Sequence, residues 1–269
     1  MGAIDVWAQI TTERMARRPW METLLRWTGR TELDLQTVES TLAAMDRAGV
    51  DITLLSGWHG PEGSLISNDE VADCVARAPD RFRGLMTVDL EAPMQTVREI
   101  RRLADRKTFV GVRVVPWLWG LPPNDRRYYP IYAACIDAGV PFCTQIGHTG
   151  PLRRSETGRM IPYLEEVMLD FPELVVVGGH VGFPFLDELV TMTVKFPNFH
   201  VDTSAYAAHR LPPAFVEWMK GLGRDRVMFG TNWPMLSPAQ CLARLDDLGL
   251  TPEQRDAYLS GNARRVFGL

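Results

Sequence analysis

Three of the five histidines, His59, His148 and His180, stand just after apolar runs rich in valine and isoleucine. Imidazole is the side chain whose charge changes nearest neutral pH, so a histidine leaving a strand is a candidate for proton transfer. Other groups able to bind or orient a ligand occupy equivalent places. They are Asp5, Trp7 and Gln9 in "IDVWAQI", Arg113 and Trp117 around "GVRVVP", Asp202 and Tyr206 in "HVDTSAY", and Asn232 and Trp233 in "FGTNWP". Alternate residues of a strand share a face, which predicts that Asp5, Trp7 and Gln9 line one surface while Ile4, Val6, Ala8 and Ile10 line the other. A carboxylate, an indole and an amide together suit a binding surface better than a core. His200, inside a strand, and His209, in a polar loop, read as structural or solvated.

The elements that must position these groups follow one rhythm. Short strand-like runs begin near Ile4, Val50, Phe82, Phe109, Val140, Glu173, Phe199 and Arg226, and each is followed by a segment with apolar residues at three- and four-residue spacing. No Asn-Gly or Asp-Gly hairpin signal interrupts them. Eight βα units in 269 residues predict an α/β fold of the (β/α)8 TIM-barrel type, one domain over residues 1–269. An open doubly wound sheet would carry a glycine-rich turn after its first strand, and "TTERMARRP" has no glycine. In such a barrel the groups leaving the strands converge at the C-terminal mouth.

Composition narrows the partners. A formal charge of −4, from 29 basic and 33 acidic residues, gives no basic field for nucleic acid. Charged residues or glycines interrupt every apolar run before it reaches membrane-spanning length, so no membrane partner is expected. The four cysteines are far apart, with no C-x-x-C pair and no secretory segment, which predicts reduced, buried thiols and a cytoplasmic location.

The ordered set "IDV", "GVRVVP", "GVPFCTQIGHTGP", "VVVGGHVGFP", "HVDTSAY", "VMFGTNWP" and "GNARRVFGL" spans the whole chain and resembles the amidohydrolase superfamily, specifically its amidohydrolase-2 branch. That branch includes aminocarboxymuconate semialdehyde decarboxylase, aromatic-acid decarboxylases and lactone hydrolases. Its members typically hold one divalent metal with a His-x-His pair on strand one, histidines on strands five and six and an aspartate on strand eight. Here only His148 and His180 match: Trp7 and Gln9 stand at the pair and Asn232 at the aspartate. Indole has no lone pair to give and an amide oxygen is a weak ligand, so no metal and no other cofactor is expected. Asp5 or His59 rebuilding a site with His148 and His180 is the alternative.

The resemblance implies an enzyme acting on a small hydrophobic or aromatic carboxylated molecule, by hydrolysis with metal-independent acid–base help. Non-oxidative decarboxylation is a second reading, and a degenerate barrel that binds without turnover a third. His148 and His180 are assigned proton transfer and Asn232 orientation, since an amide donates hydrogen bonds but moves no proton at neutral pH. Trp7, Gln9, His59, Arg113, Trp117, Tyr206 and Trp233 are assigned to substrate binding. Arg113 is either a carboxylate clamp or a buried partner of Asp89 or Asp202. Arg153 and Arg154 follow His148 on a loop over the mouth, where one meets an anionic substrate. Relatives are often dimers, so a homodimer is the assembly implied.

Overall fold

The computed structural model describes residues 2–269. Eight parallel strands form one sheet: β1 (Ala3–Ala8), β2 (Val50–Ser56), β5 (Phe82–Met86), β6 (Phe109–Val114), β7 (Phe142–Gln145), β8 (Val176–Gly179), β9 (Phe199–Asp202) and β10 (Val227–Met228), neighbours in that order. A parallel bridge from Ala8 to Trp233 and the bonds Val6 N to Phe229 O (3.0 Å) and Asn232 N to Trp7 O (2.7 Å) join the last strand to the first. Closure removes both sheet edges, which is the barrel the spacing predicts.

Local signals set the helix ends. Thr37 and Ser40 cap Val38–Ala48 reciprocally and Gly49 closes it at φ 68°; Ser67 and Glu70 do the same at the start of Asn68–Arg77. The lower barrel is an apolar plug, with Val6, Leu54, Leu85, Cys143, Val177 and Met228 meeting Ala263 and Phe267 of the C-terminal helix Asn262–Phe267. Polar side chains therefore collect in the upper half. All four cysteines are buried and unbridged, and among the described residues no helix is long and apolar enough to cross a membrane.

Two expectations are corrected. The loop after β2 is an antiparallel hairpin, β3 (Trp58–Gly60) with β4 (Gly63–Ile66), turned by Pro61 and Glu62 with Gly63 at φ 99°. That turn lacks the dipeptides used as the hairpin signal. Strand β1 also does not alternate cleanly, because a bulge between Asp5 and Ala8 sets two residues, Val6 and Trp7, against Leu54 of β2. Ile4 and Val6 pack into the plug, Trp7 swings into the upper interior, and Asp5 turns to the barrel wall, so Asp5, Trp7 and Gln9 share no common face.

Candidate active site

The base of the mouth is a stack. The Arg113 guanidinium lies 3.7 Å from the Trp7 ring centroid, and the His180 ring lies 4.5 Å from the same indole. Arg113, buried near the C-terminal end of β6, also donates to Ser56 Oγ and to Val6 O (2.8 Å). Gly179, the last residue of β8, makes room for this: a Cβ there would collide with the Trp7 ring. Burial of Trp7 and Arg113, each 1% exposed, keeps both beneath the site instead of in contact with a ligand.

His180 follows β8 at φ 72°, and Val181 and Gly182 continue the left-handed turn at 63° and 72°. Its Nδ1 is 2.6 Å from Ser204 Oγ, and the Ser204 hydroxyl donates to Asp202 Oδ1, which also accepts the Ser204 N–H at 2.9 Å. A hydroxyl has one proton to give, so Ser204 accepts from His180 Nδ1–H. That fixes the tautomer and leaves Nε2 as the lone pair available to the cavity. Burial, aided by Arg113, lowers the His180 pKa to about 3, so the ring is neutral near pH 7. Burial raises the Asp202 carboxyl, against the opposing pull of Arg113 and the Ser204 bonds.

Gln9 and Asn232 complete the floor. Gln9 Nε2 donates to Trp233 O (2.5 Å) and Asn232 Oδ1 (3.1 Å), both acceptors, which orients the amide and leaves Gln9 Oε1 buried with no partner. The floor thus turns one acceptor to the cavity, His180 Nε2, beside the Asn232 amide nitrogen, while Gln9, 1% exposed, lies beneath it and holds the Asn232 amide in place. Above it opens a cavity of about 810 Å³ walled by Trp27, Trp58, Trp117, Phe183, Tyr206 and Met235. His148 is at its rim, exposed, stacked on Trp27 at 5.5 Å, with its carbonyl accepting from Gln145 Nε2 at 2.7 Å.

The structure therefore brings Gln9, Trp117, His148, His180, Tyr206 and Asn232 together around one cavity. Four expected contacts lie elsewhere, Trp7 among them, since it is buried beneath the floor. His59 sits in the β3–β4 hairpin, stacked on Trp119 and 3.8 Å from Asp89, outside the cavity lining. Trp233 is held back by its indole N–H, which donates to Thr41 Oγ1 at 3.2 Å. Arg113 is sealed under Trp7, and Asp89 is not its partner. Asp5 is tied to Thr231 Oγ1 (2.6 Å) and N (2.9 Å), and burial pushes its carboxyl up to about 7. Sequence reasoning missed Ser204 and Gln145. Ser204, two residues after Asp202, was the one with a signal, since that spacing puts both on one face.

A closed barrel of eight parallel strands with neutral imidazole, amides and aromatic walls at its C-terminal mouth defines an enzyme of the metabolic barrel class, built for a small organic substrate. The chain belongs to the amidohydrolase family, whose model (Amidohydro_2) matches residues 4–269. It is 22% identical over 298 residues to a gamma-resorcylate decarboxylase of Polaromonas sp. strain JS666, covering 88% of each chain. Among solved structures it superposes on an uncharacterized TIM-barrel protein from Bordetella bronchiseptica with a TM-score of 0.82 at 24% identity, over 100% of this chain and 99% of that one. A dihydroxybenzoic acid decarboxylase from Polaromonas sp. JS666, solved with manganese and the inhibitor 2-nitroresorcinol, gives 0.72 at 20% identity, over 100% and 97%.

Proposed function

We propose that this chain is a non-oxidative decarboxylase of a small hydroxylated aromatic acid. The carrying observation is the floor, where neutral His180 turns its free Nε2 into an aromatic-walled cavity beside the Asn232 amide. A phenolic hydroxyl donates to His180 Nε2, and the ring packs between indoles. Hydrolysis, the first expectation from the sequence, gives way to the second reading because the curated relative named above is a decarboxylase.

Carbon–carbon cleavage needs the carboxylate turned out of conjugation, a dry cavity, and a proton delivered to the ring carbon as carbon dioxide leaves. The apolar walls supply dryness. Neutral His180 orients the hydroxyl by accepting its hydrogen bond, and the buried Arg113 charge beneath Trp7 stabilises electron density that builds on the ring. His148, exposed at the rim and lining the cavity, is the group placed to take a proton from solvent and pass it to the ring carbon whose bond to carbon dioxide breaks.

The family resemblance implies a divalent metal, and the Polaromonas structure holds manganese. The residues here do not fit one. Among the described residues no three of His, Cys, Asp or Glu stand close enough to hold an ion, a guanidinium lies against the floor's indole, and the Gln9 and Asn232 amides bond each other. The test is incubation with a panel of mono- and dihydroxybenzoic acids, following carbon dioxide and the phenol product by mass spectrometry. Stoichiometric phenol supports the reading; a ring-opened or hydrolysed product in its place overturns it.

A further inference from the structure

A second cavity, of about 1050 Å³, adjoins the first and shares Trp27, Trp117, His148, Gly150 and Pro151 with it as a common wall. Its chemistry differs. Arg18, Arg26, Arg153 and Arg154 line it against two carboxylates, Glu62 and Glu156. Arg18 is engaged by Glu62, whereas the guanidinium groups of Arg26, Arg153 and Arg154 have no ion pair or hydrogen bond among the described residues. Three more donors are buried in the same lining without partners: the hydroxyls of Thr149 and Thr157, 3% and 5% exposed, and the indole N–H of Trp119, 8% exposed. Unengaged cations beside buried, unmet donors form a surface that selects an anion.

Each cavity alone is large enough for a small organic ligand, so one aromatic ring cannot fill both. The partition between them is the Trp27–His148 stack, and Trp27 is 61% exposed, so one molecule can pass over or beside it. We infer that the second cavity holds a carboxylate or phosphate at the far end of an elongated substrate whose reacting carboxyl lies in the first. This rests on the proposed function in taking the first cavity as the seat of the reacting acid. The anionic tail is then a determinant of which aromatic acid the enzyme accepts.

Equilibrium binding tests it, read by quenching of tryptophan fluorescence in the intact protein. The probes are a biphenyl monocarboxylate, the para,para′-dicarboxylate and the corresponding aryl phosphate carboxylate. The expected result is binding about tenfold or more tighter for at least one dianion than for the monoanion, with the preferred dianion naming the tail. The Arg153→Gln/Arg154→Gln double variant, both positions exposed, and separately Thr157→Val, are expected to bring the affinities together. Equal affinities in the native chain, or an advantage that survives the double variant, would overturn the inference. Tight dianion binding without carbon dioxide release from any acid would count against the decarboxylase reading and leave the anion site standing.

Discussion

His180 Nδ1 and Ser204 Oγ lie 2.6 Å apart, and the serine hydroxyl is committed onward to Asp202. The relay makes Ser204 a positioning residue. Its replacement by Ala frees the imidazole to exchange tautomers and to turn. The expected outcome is a fall in kcat of roughly tenfold to a hundredfold with KM little changed, and partial rescue by Ser204→Thr. Imidazole nitrogen NMR supplies an independent readout: a single Nδ1–H tautomer in the native chain and a mixture in Ser204→Ala. An unaltered tautomer in the variant would remove the relay from the account.

Gln9 Nε2 holds Asn232 Oδ1 and Trp233 O, so Gln9→Leu releases the Asn232 amide beside the cavity and should weaken preference for hydroxylated acids without abolishing binding of the unhydroxylated ring. The ratio of affinities for a hydroxybenzoate and benzoate is expected to drop by about tenfold, the worth of one buried hydrogen bond. Calorimetric titration of both acids checks it, and a ratio that does not move contradicts the assigned amide orientation.

Trp7 fills the space that Gly179 leaves and covers Arg113. Trp7→Ala is expected to destabilise the barrel by about 3–5 kcal/mol in denaturant unfolding. Adding Gly179→Ala should recover part of that loss, whereas Gly179→Ala alone should be destabilising because its Cβ meets the indole. Additive losses in the double variant would show that the two positions do not share the space.

Asp5 gives a pH signature. Its folded pKa, about 7, lies above the ordinary carboxylate value of 3.8, so between these pH values the folded chain holds a proton that the unfolded chain has released. Its contribution to stability is full below about 3.8 and is lost as pH rises through about 7. Asp5→Asn mimics the protonated form, so the melting temperature of the variant relative to the native chain should climb across that window. A difference constant with pH would exclude the raised carboxyl.

Metal content is expected to separate this chain from the manganese-bearing Polaromonas decarboxylase. Protein purified without chelator should carry less than one equivalent of manganese or zinc by elemental analysis, and turnover should survive dialysis against EDTA. One tightly held ion per chain would require a ligand set other than the amide-and-indole floor described above.

Much of this was readable in the amino-acid order because strand-to-helix rhythm and strand-end chemistry are local. The eight strands, the convergence of His148 and His180, and the role of Trp117 and Tyr206 as walls all follow from where residues fall relative to apolar runs. The misplacements have one cause: side-chain direction depends on partners distant in the chain. The bulge that turns Asp5 away from Trp7 is defined against β2, His59 is drawn off by a hairpin and Asp89, and Trp233 is anchored by Thr41. Ser204 carried the clearest overlooked signal, a hydroxyl spaced to share a face with a buried carboxylate.

The left-handed backbone from His180 to Gly182 carries one more meaning. Two of its three residues are not glycine, and such a conformation costs about 1–2 kcal/mol for each. It persists because Val181 is wholly buried and its N–H is bonded to Asp202 O at 3.1 Å. The main chain therefore sets where the imidazole enters the barrel mouth, and the Ser204 bond sets how its ring is turned. A chain built on this turn can exchange indole for imidazole or amide for carboxylate on the opposite strands and still keep a histidine at the mouth.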